Sequence, residues 1–169
     1  KYLQFAEEYL TELKEDGSEI VSIHLRRGDL VTNEEYLNFY GKDDIYDENS
    51  VYGNYISKAV KRFDNKKIKF LVFSGGSRNG CDTEDISWAK RTFKKDNFFV
   101  SETNDPMKDF SLILSCHHNI TCHLTTFGWW GAYLNPNPDK IVVAPKNYFY
   151  NMATDYERAG FLPRAWELM

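Results

Sequence analysis

Cysteine is scarce: only Cys81, Cys116 and Cys122 occur in 169 residues. An odd number cannot build a complete disulfide framework, and no Cys-x-x-Cys pair supplies a metal-knuckle or redox spacing. One bridge or three free thiols remain the alternatives. Long apolar runs are missing too; none approaches the ~20 residues that cross a bilayer, and the first ten residues lack a signal-peptide apolar core. Positive charge is not in excess, with 21 Lys and Arg against 25 Asp and Glu. That excludes a broad electrostatic grip on nucleic acid. Neither a Walker pattern nor a clean Gly-x-Gly-x-x-Gly is present. No repeat or low-complexity tract suggests a solenoid or a disordered tail.

What is present fits one soluble α/β domain. Hydrophobic residues make up 42% and charged residues 27%, the balance of an ordinary globular chain of this size. Aromatics reach 16%; buried core rings explain most such rings, and carbohydrate binding would also use them. Lys1 to Leu10 reads as an amphipathic helix already inside a fold, so the 169 residues are expected to be a fragment of a longer protein. Asn119-Ile120-Thr121 is a glycosylation sequon, weak evidence for a secretory compartment.

Along the chain, Leu3, Ala6, Leu10 and Leu13 recur at helical spacing over residues 2–14, and Asp16-Gly17-Ser18 ends that helix. A strand follows at 20–25. Residues 28–50 are polar and read as a long loop, a lid or an acceptor-facing segment. A second helix spans Tyr52 to Arg62 and a second strand Ile68 to Phe73, which opens into Ser74-Gly75-Gly76-Ser77-Arg78-Asn79-Gly80. Thr83 caps a helix from Glu84 to Phe93, whose early acids suit the helix dipole. A strand at Asn97–Val100 precedes a helix begun by Asp105-Pro106. Ile120–Cys122 is the next strand, then a helix entered at Thr125-Thr126, with Trp129 and Trp130 wedging it against the sheet. Pro136 and Pro138 end it. Lys140–Ala144 is a last buried strand, and the tail with Trp166 packs back on the domain. This alternation predicts a doubly wound, mostly parallel sheet of Rossmann-like topology.

The chemistry concentrates where strand one ends. Val21-Ser22-Ile23 runs into His24-Leu25-Arg26-Arg27-Gly28-Asp29, and α/β sheets bind ligands at the carboxyl ends of their strands. Two guanidiniums suit a phosphate-bearing ligand, because they match its oxygens bidentately and keep their charge. Gly28 allows a tight turn or a close backbone approach. Asp29 can orient one arginine or His24. A salt-bridged surface strand end is the plain alternative. Ser74-Gly75 form a second possible ligand edge. Hydroxyls and free amides at the helix start near Thr125 and Thr126 make an anion site.

These residues carry a resemblance. His24-Leu25-Arg26-Arg27-Gly28-Asp29 resembles the His-x-Arg-Arg-x-Asp motif of α-1,2-, α-1,6- and protein O-fucosyltransferases. Ser115-Cys116-His117-His118 with Thr126-Phe127-Gly128-Trp129-Trp130-Gly131-Ala132-Tyr133-Leu134 resembles the C-terminal motif of the α-1,2-fucosyltransferases. Lys140 to Lys146, Pro163 and Trp166 fit that family's ending. The run before Thr126 carries one extra residue, and the stretch Gly75 to Thr83 is longer than the usual Ser-Asp-Asp form.

The resemblance implies the donor-binding, C-terminal half of a GT-B-type, inverting glycosyltransferase that needs no metal or other cofactor. Its donor would be GDP-fucose and its acceptor a galactose-terminated glycan, fucosylated at the galactose 2-hydroxyl. Arg26, Arg27, Gly28, Ser74, Gly75, Thr125, Thr126 and Phe127 would bind the donor. Arg26, with Asp29 or His24 orienting it or acting as base, would carry the catalysis. No Asp-x-Asp spacing exists for a metal, so fixed guanidinium charge would neutralise the leaving diphosphate. A eukaryotic member would face the Golgi lumen behind a membrane anchor outside this chain; a bacterial member would be cytoplasmic. This segment itself contacts no membrane. A non-catalytic nucleotide-sugar or carbohydrate-binding module, or a phosphate-binding α/β protein with another donor, would keep the same fold.

Overall fold

The computed structural model describes residues 1–28, 34–35, 50–64, 67–75, 83–146, 148 and 160–169. Asp29, Cys81, most of the polar stretch 28–50 and the glycine-rich stretch from Gly76 to Gly80 lie outside them. The elements in chain order are α1 (Tyr2–Leu13), β1 (Glu19–Arg26), α2 (Val51–Lys61), β2 (Ile68–Gly75), α3 (Thr83–Thr92), β3 (Phe98–Val100), α4 (Pro106–Ser115), β4 (His118–Ile120), α5 (Thr126–Leu134), β5 (Val142–Ala144) and β6 (Glu167–Leu168).

The strands form one sheet in the order β3-β2-β1-β4-β5-β6, and every pair is parallel. This is the doubly wound order, in which the winding reverses between β1 and β4 and leaves a crevice at their carboxyl ends. The expected α/β class and Rossmann-like topology are therefore present.

Apolar residues on both faces of the central strands make both faces bury. Val21, Ile23, Leu25, Phe70 and Val72 face a core closed by Tyr55, Ile56 and Ala59 of α2 and Trp88 and Ala89 of α3. Ile20, Leu71 and Phe73 face the opposite core, closed by Ala6 and Leu10 of α1 and Leu112 and Ile113 of α4. Each fully buried Val, Leu, Ile or Phe among them stabilises the fold by ~1.5–3 kcal/mol. Trp129 and Ala132 of α5 cover Val142 and Ala144 of β5, with Trp166 packed beside them.

Local signals explain the helix starts. Ser50 caps α2 by accepting from the Gly53 N–H at 2.9 Å. Asp105 caps α4 by accepting from Met107 N–H at 2.9 Å, with Pro106 in the first turn. Gly17 takes φ +78° in the turn between α1 and β1.

Three sequence expectations need correction, and the tail, which packs back as expected, adds an element. The fourth strand is His118–Ile120, not Ile120–Cys122, because its polar side chains are satisfied inside. Asn119 donates to Ser22 Oγ at 2.7 Å and to the Ile113 carbonyl at 2.7 Å, and accepts from Asn135 Nδ2 at 2.8 Å. His118 accepts from the Ile141 N–H at 3.0 Å and donates to Glu19 at 3.1 Å. The sequon is thus buried at its acceptor nitrogen. Lys140 does not begin β5; its ammonium donates to the Asn135 carbonyl at 2.5 Å and to that of Tyr133 at 3.1 Å, closing the end of α5. Only Trp129 wedges α5, since Trp130 is 48% exposed. Finally, the tail adds β6, held by a bidentate Arg62–Glu167 pair at 2.6 and 2.7 Å.

Candidate functional site

The pleat of β1 sends successive side chains to opposite faces of the sheet. His24 and Arg26 therefore face the α5 side, in register with Phe73 and Gly75 of β2. Arg27, just past the strand, reaches the α3 side. The two guanidiniums are neighbours in sequence but hold different partners, the Leu124 carbonyl and Asp85.

Arg26 sits at the reversal of the winding. Its backbone N–H donates to Cys122 Sγ at 3.2 Å, and its guanidinium Nη1 donates to the carbonyl of Leu124. Leu124 takes φ +57°, a left-handed conformation that costs an L-residue ~1–2 kcal/mol. The turn aims its carbonyl back at β1 while its N–H donates to the Tyr148 carbonyl at 2.9 Å. The next residue, Thr125, is the N-cap of α5 without a side-chain cap bond. Its carbonyl accepts from the Tyr148 hydroxyl at 2.6 Å. Thr126 is exposed and Phe127 half-buried at the same helix start. On the other flank Gly75, at φ +141°, leaves the position beside Arg26 without a side chain. Arg26 and the Thr125–Thr126 helix start thus lie on either side of Leu124, whose carbonyl Arg26 holds.

His24 lies beneath α5. A Cβ on Gly128 would stand 2.9 Å from His24 Nδ1, so glycine is what lets the helix approach. The imidazole lies against Phe127, ring centres 5.2 Å apart, and its buried Nδ1 has no hydrogen-bond partner among the described residues. Burial, reinforced by the charge of Arg26, lowers its pKa to about 4. His24 is therefore neutral near pH 7.

Arg27 is tied to α3. Nη1 donates to Asp85 Oδ1 at 2.6 Å, and the Gly28 N–H donates to Asp85 Oδ2 at 3.1 Å. The guanidinium lies over Trp88, 4.8 Å from the ring centre, within cation–π range. Ser74, in register with Leu25, is on this same face. Its Oγ and the Arg27 Nε are buried and have no hydrogen-bond partner among the described residues.

The structure thus ties Arg26 to the turn that precedes Thr125 and Thr126, sets it in register with Gly75, and packs His24 against Phe127. Arg27, Gly28 and Ser74 stand on the other side of the β1–β2 tip. Pairing of Arg27 with Asp29, and the orienting or base role of Asp29, fall outside the described residues. Sequence reading missed Asp85, taken there for a dipole acid, and Leu124, whose left-handed turn has one signal: the extra residue before Thr126. Cys116 and Cys122 are buried thiols, not bridged to each other. Among the described residues, no group of three His, Cys, Asp or Glu side chains gathers to hold a metal. None of the described helices is long and apolar enough to cross a membrane.

The family model described as Glycosyl transferase family 11 matches residues 3–167. The O-antigen biosynthesis glycosyltransferase WbnK of Escherichia coli is 31% identical over 140 residues, which cover 79% of this chain and 40% of that protein. An α-1,2-colitosyltransferase of Escherichia coli is 33% identical over 135 residues, covering 76% and 41%. Among solved structures, NodZ α-1,6-fucosyltransferase co-crystallised with GDP aligns at a TM-score of 0.49 and 15% identity, over 79% of this chain and 41% of that one. The chain spans about two-fifths of the length of the curated relatives it matches.

Proposed function

Because this chain belongs to glycosyl transferase family 11, we propose that it is the donor-binding, C-terminal half of a GT-B-type inverting fucosyltransferase, which moves L-fucose from GDP-fucose to the 2-hydroxyl of a galactoside. The observation that carries this reading is Arg26, anchored at the winding reversal beside the open start of α5. A diphosphate placed there meets a permanent cation on one side and helix-start amides on the other.

The reaction is a single in-line displacement. An acceptor hydroxyl forms a bond to the anomeric carbon from one face while the bond to the β-phosphate oxygen breaks on the other. GDP leaves with the electron pair, and the hydroxyl proton passes to a base. Arg26 stabilises the charge that builds on the leaving phosphate, so no metal is required for that task. Thr125, Thr126 and the amides of α5 complete the phosphate cradle, and Phe127 walls it. Gly75 leaves room beside Arg26, and Ser74 and Arg27 border the nucleotide. His24, with a pKa of about 4, is a poor proton acceptor at neutral pH and serves as a neutral floor. Asp29 is the better candidate for the base.

The bacterial relatives favour the bacterial cytoplasmic alternative over a Golgi placement, and the buried sequon nitrogen withdraws the support that pointed to the latter. A second donor reading, a colitosyl group in place of fucosyl, is favoured by the 33% identity to the α-1,2-colitosyltransferase. Titration calorimetry with GDP and GDP-fucose, with and without EDTA, tests the proposal. Binding that is indifferent to EDTA supports it; absence of GDP binding overturns it. Transfer of labelled fucose to a β-galactoside by a full-length version separates an enzyme from a binding module.

A further inference from the structure

Two acidic residues open α3, and they differ in kind. Glu84 is exposed, whereas the side chain of Asp85 is 3% exposed. A solvated acid suffices to complement a helix dipole; a buried carboxylate is costly unless it is paired and hydrogen-bonded. Both oxygens of Asp85 are committed, and to consecutive residues: Oδ1 to Arg27 Nη1 and Oδ2 to the Gly28 N–H.

We propose that Asp85 is a positioning residue of the donor site, holding Arg27 and the Gly28 amide so that the chain just past Arg26 is fixed and Arg26 is aimed at the diphosphate. The inference rests on the GDP-donor reading above. Arg26 is gripped from behind by Cys122 Sγ and the Leu124 carbonyl. Asp85 supplies the grip from ahead, on the other face of the sheet. Trp88, one turn further along α3, supports the same guanidinium from its flat side. The ion pair also offsets the charge of Arg27. Discrimination between a diphosphate and a monophosphate then falls to Arg26 and depends on how well it is aimed.

The test compares GDP and GMP affinities, by calorimetry, in the unaltered chain, in Asp85→Asn and in the double variant Asp85→Asn/Arg27→Gln. The double variant leaves no lone buried charge, so it guards against loss of folding in the single one. Both variants are expected to keep the native circular dichroism and to lose ~10-fold or more of the preference for GDP over GMP, the worth of a charge-assisted hydrogen bond. In nitrogen-15 spectra without nucleotide, the Arg26 Nε–H signal is expected to move in Asp85→Asn. A folded variant that keeps its GDP:GMP preference, or an Arg26 signal that stays put, overturns the inference. If the unaltered chain binds no GDP, the donor reading fails by itself. The Arg26 signal then decides the positioning claim, a shift supporting it and no shift overturning it.

Discussion

Arg26 Nη1 donates to the carbonyl oxygen of Leu124, 98 residues further along the chain. The bond joins the carboxyl end of β1 to the turn that starts α5, so one arginine side chain sets how far apart these two elements stand at the winding reversal. Replacing Arg26 by Lys keeps the charge but loses the planar fork. The expected result is a folded protein with GDP affinity reduced ~10–100-fold, measured by calorimetry. Affinity close to that of the unaltered chain would remove Arg26 from the diphosphate.

Leu124 is held at φ +57°, a conformation that β-branched residues resist more than any others. Leu124→Ile conserves volume, so packing alone predicts a small effect. The backbone argument predicts a further loss of ~1–2 kcal/mol in urea unfolding, together with weaker GDP binding as the carbonyl turns away from Arg26. Leu124→Asn, which tolerates the left-handed region, should retain GDP binding better than Ile does. The reverse order would show that the turn does not aim Arg26.

Gly128 meets His24 where a Cβ would stand 2.9 Å from Nδ1 and 3.0 Å from the His24 Cβ. Gly128→Ala is expected to cost ~1–3 kcal/mol, the usual price of overpacking. Combining it with His24→Ala removes the obstruction. The double variant should be more stable than the sum of the two single losses, a coupling that a thermodynamic cycle measures. Strict additivity would mean that the helix does not rest on that imidazole.

Acid should weaken the fold through two histidines. Burial lowers the pKa of His24 to about 4, helped by the charge of Arg26, and burial lowers that of His123 to about 3. In the unfolded chain both take protons near pH 6.5. Their contribution is complete above that pH and is lost as pH falls toward the native values, by ~1.4 kcal/mol per pH unit for each. Asp109, whose carboxyl pKa is raised by burial, acts in the opposite sense and moderates the slope. Urea midpoints between pH 7 and 5 should fall, and His123→Gln should flatten the fall. A flat profile in the unaltered chain would contradict the buried neutral state.

Asn119 uses its side-chain amide inside the core. Folded material produced through a glycosylating secretory pathway should carry no glycan at Asn119, which mass spectrometry would show directly. Asn119→Ala should leave Asn135 and Ser22 short of partners and cost ~1–3 kcal/mol for each group left unpaired.

How much of this was legible beforehand varied with the physics involved. β1 was plain, because an apolar run ending in His24, Arg26 and Arg27 has few other meanings. α4 was plain as well, since Asp105-Pro106 is a strong start signal. β4 was misplaced because His118 and Asn119 look like loop residues until their partners Glu19, Ile141, Ser22 and Asn135 are known. Those partners are distant in sequence, so no local pattern contains them. Asp85 was misread for the same reason: its place in the first turn of α3 already had a sufficient explanation. β6 is two residues long and has no periodicity to detect. Trp129 and Trp130 looked equivalent, and only the rotation of α5 tells the buried ring from the exposed one.

The opposed directions of Arg26 and Arg27 carry a consequence for how this protein can change. Which partner each guanidinium meets, the Leu124 carbonyl or Asp85, is decided by odd–even counting along β1, not by the chemistry of either residue. Inserting or deleting a single residue within that strand would turn the other arginine toward Leu124 and leave Asp85 facing the wrong one. Substitutions can retune this tip, whereas changes of length in the strand cannot be absorbed there.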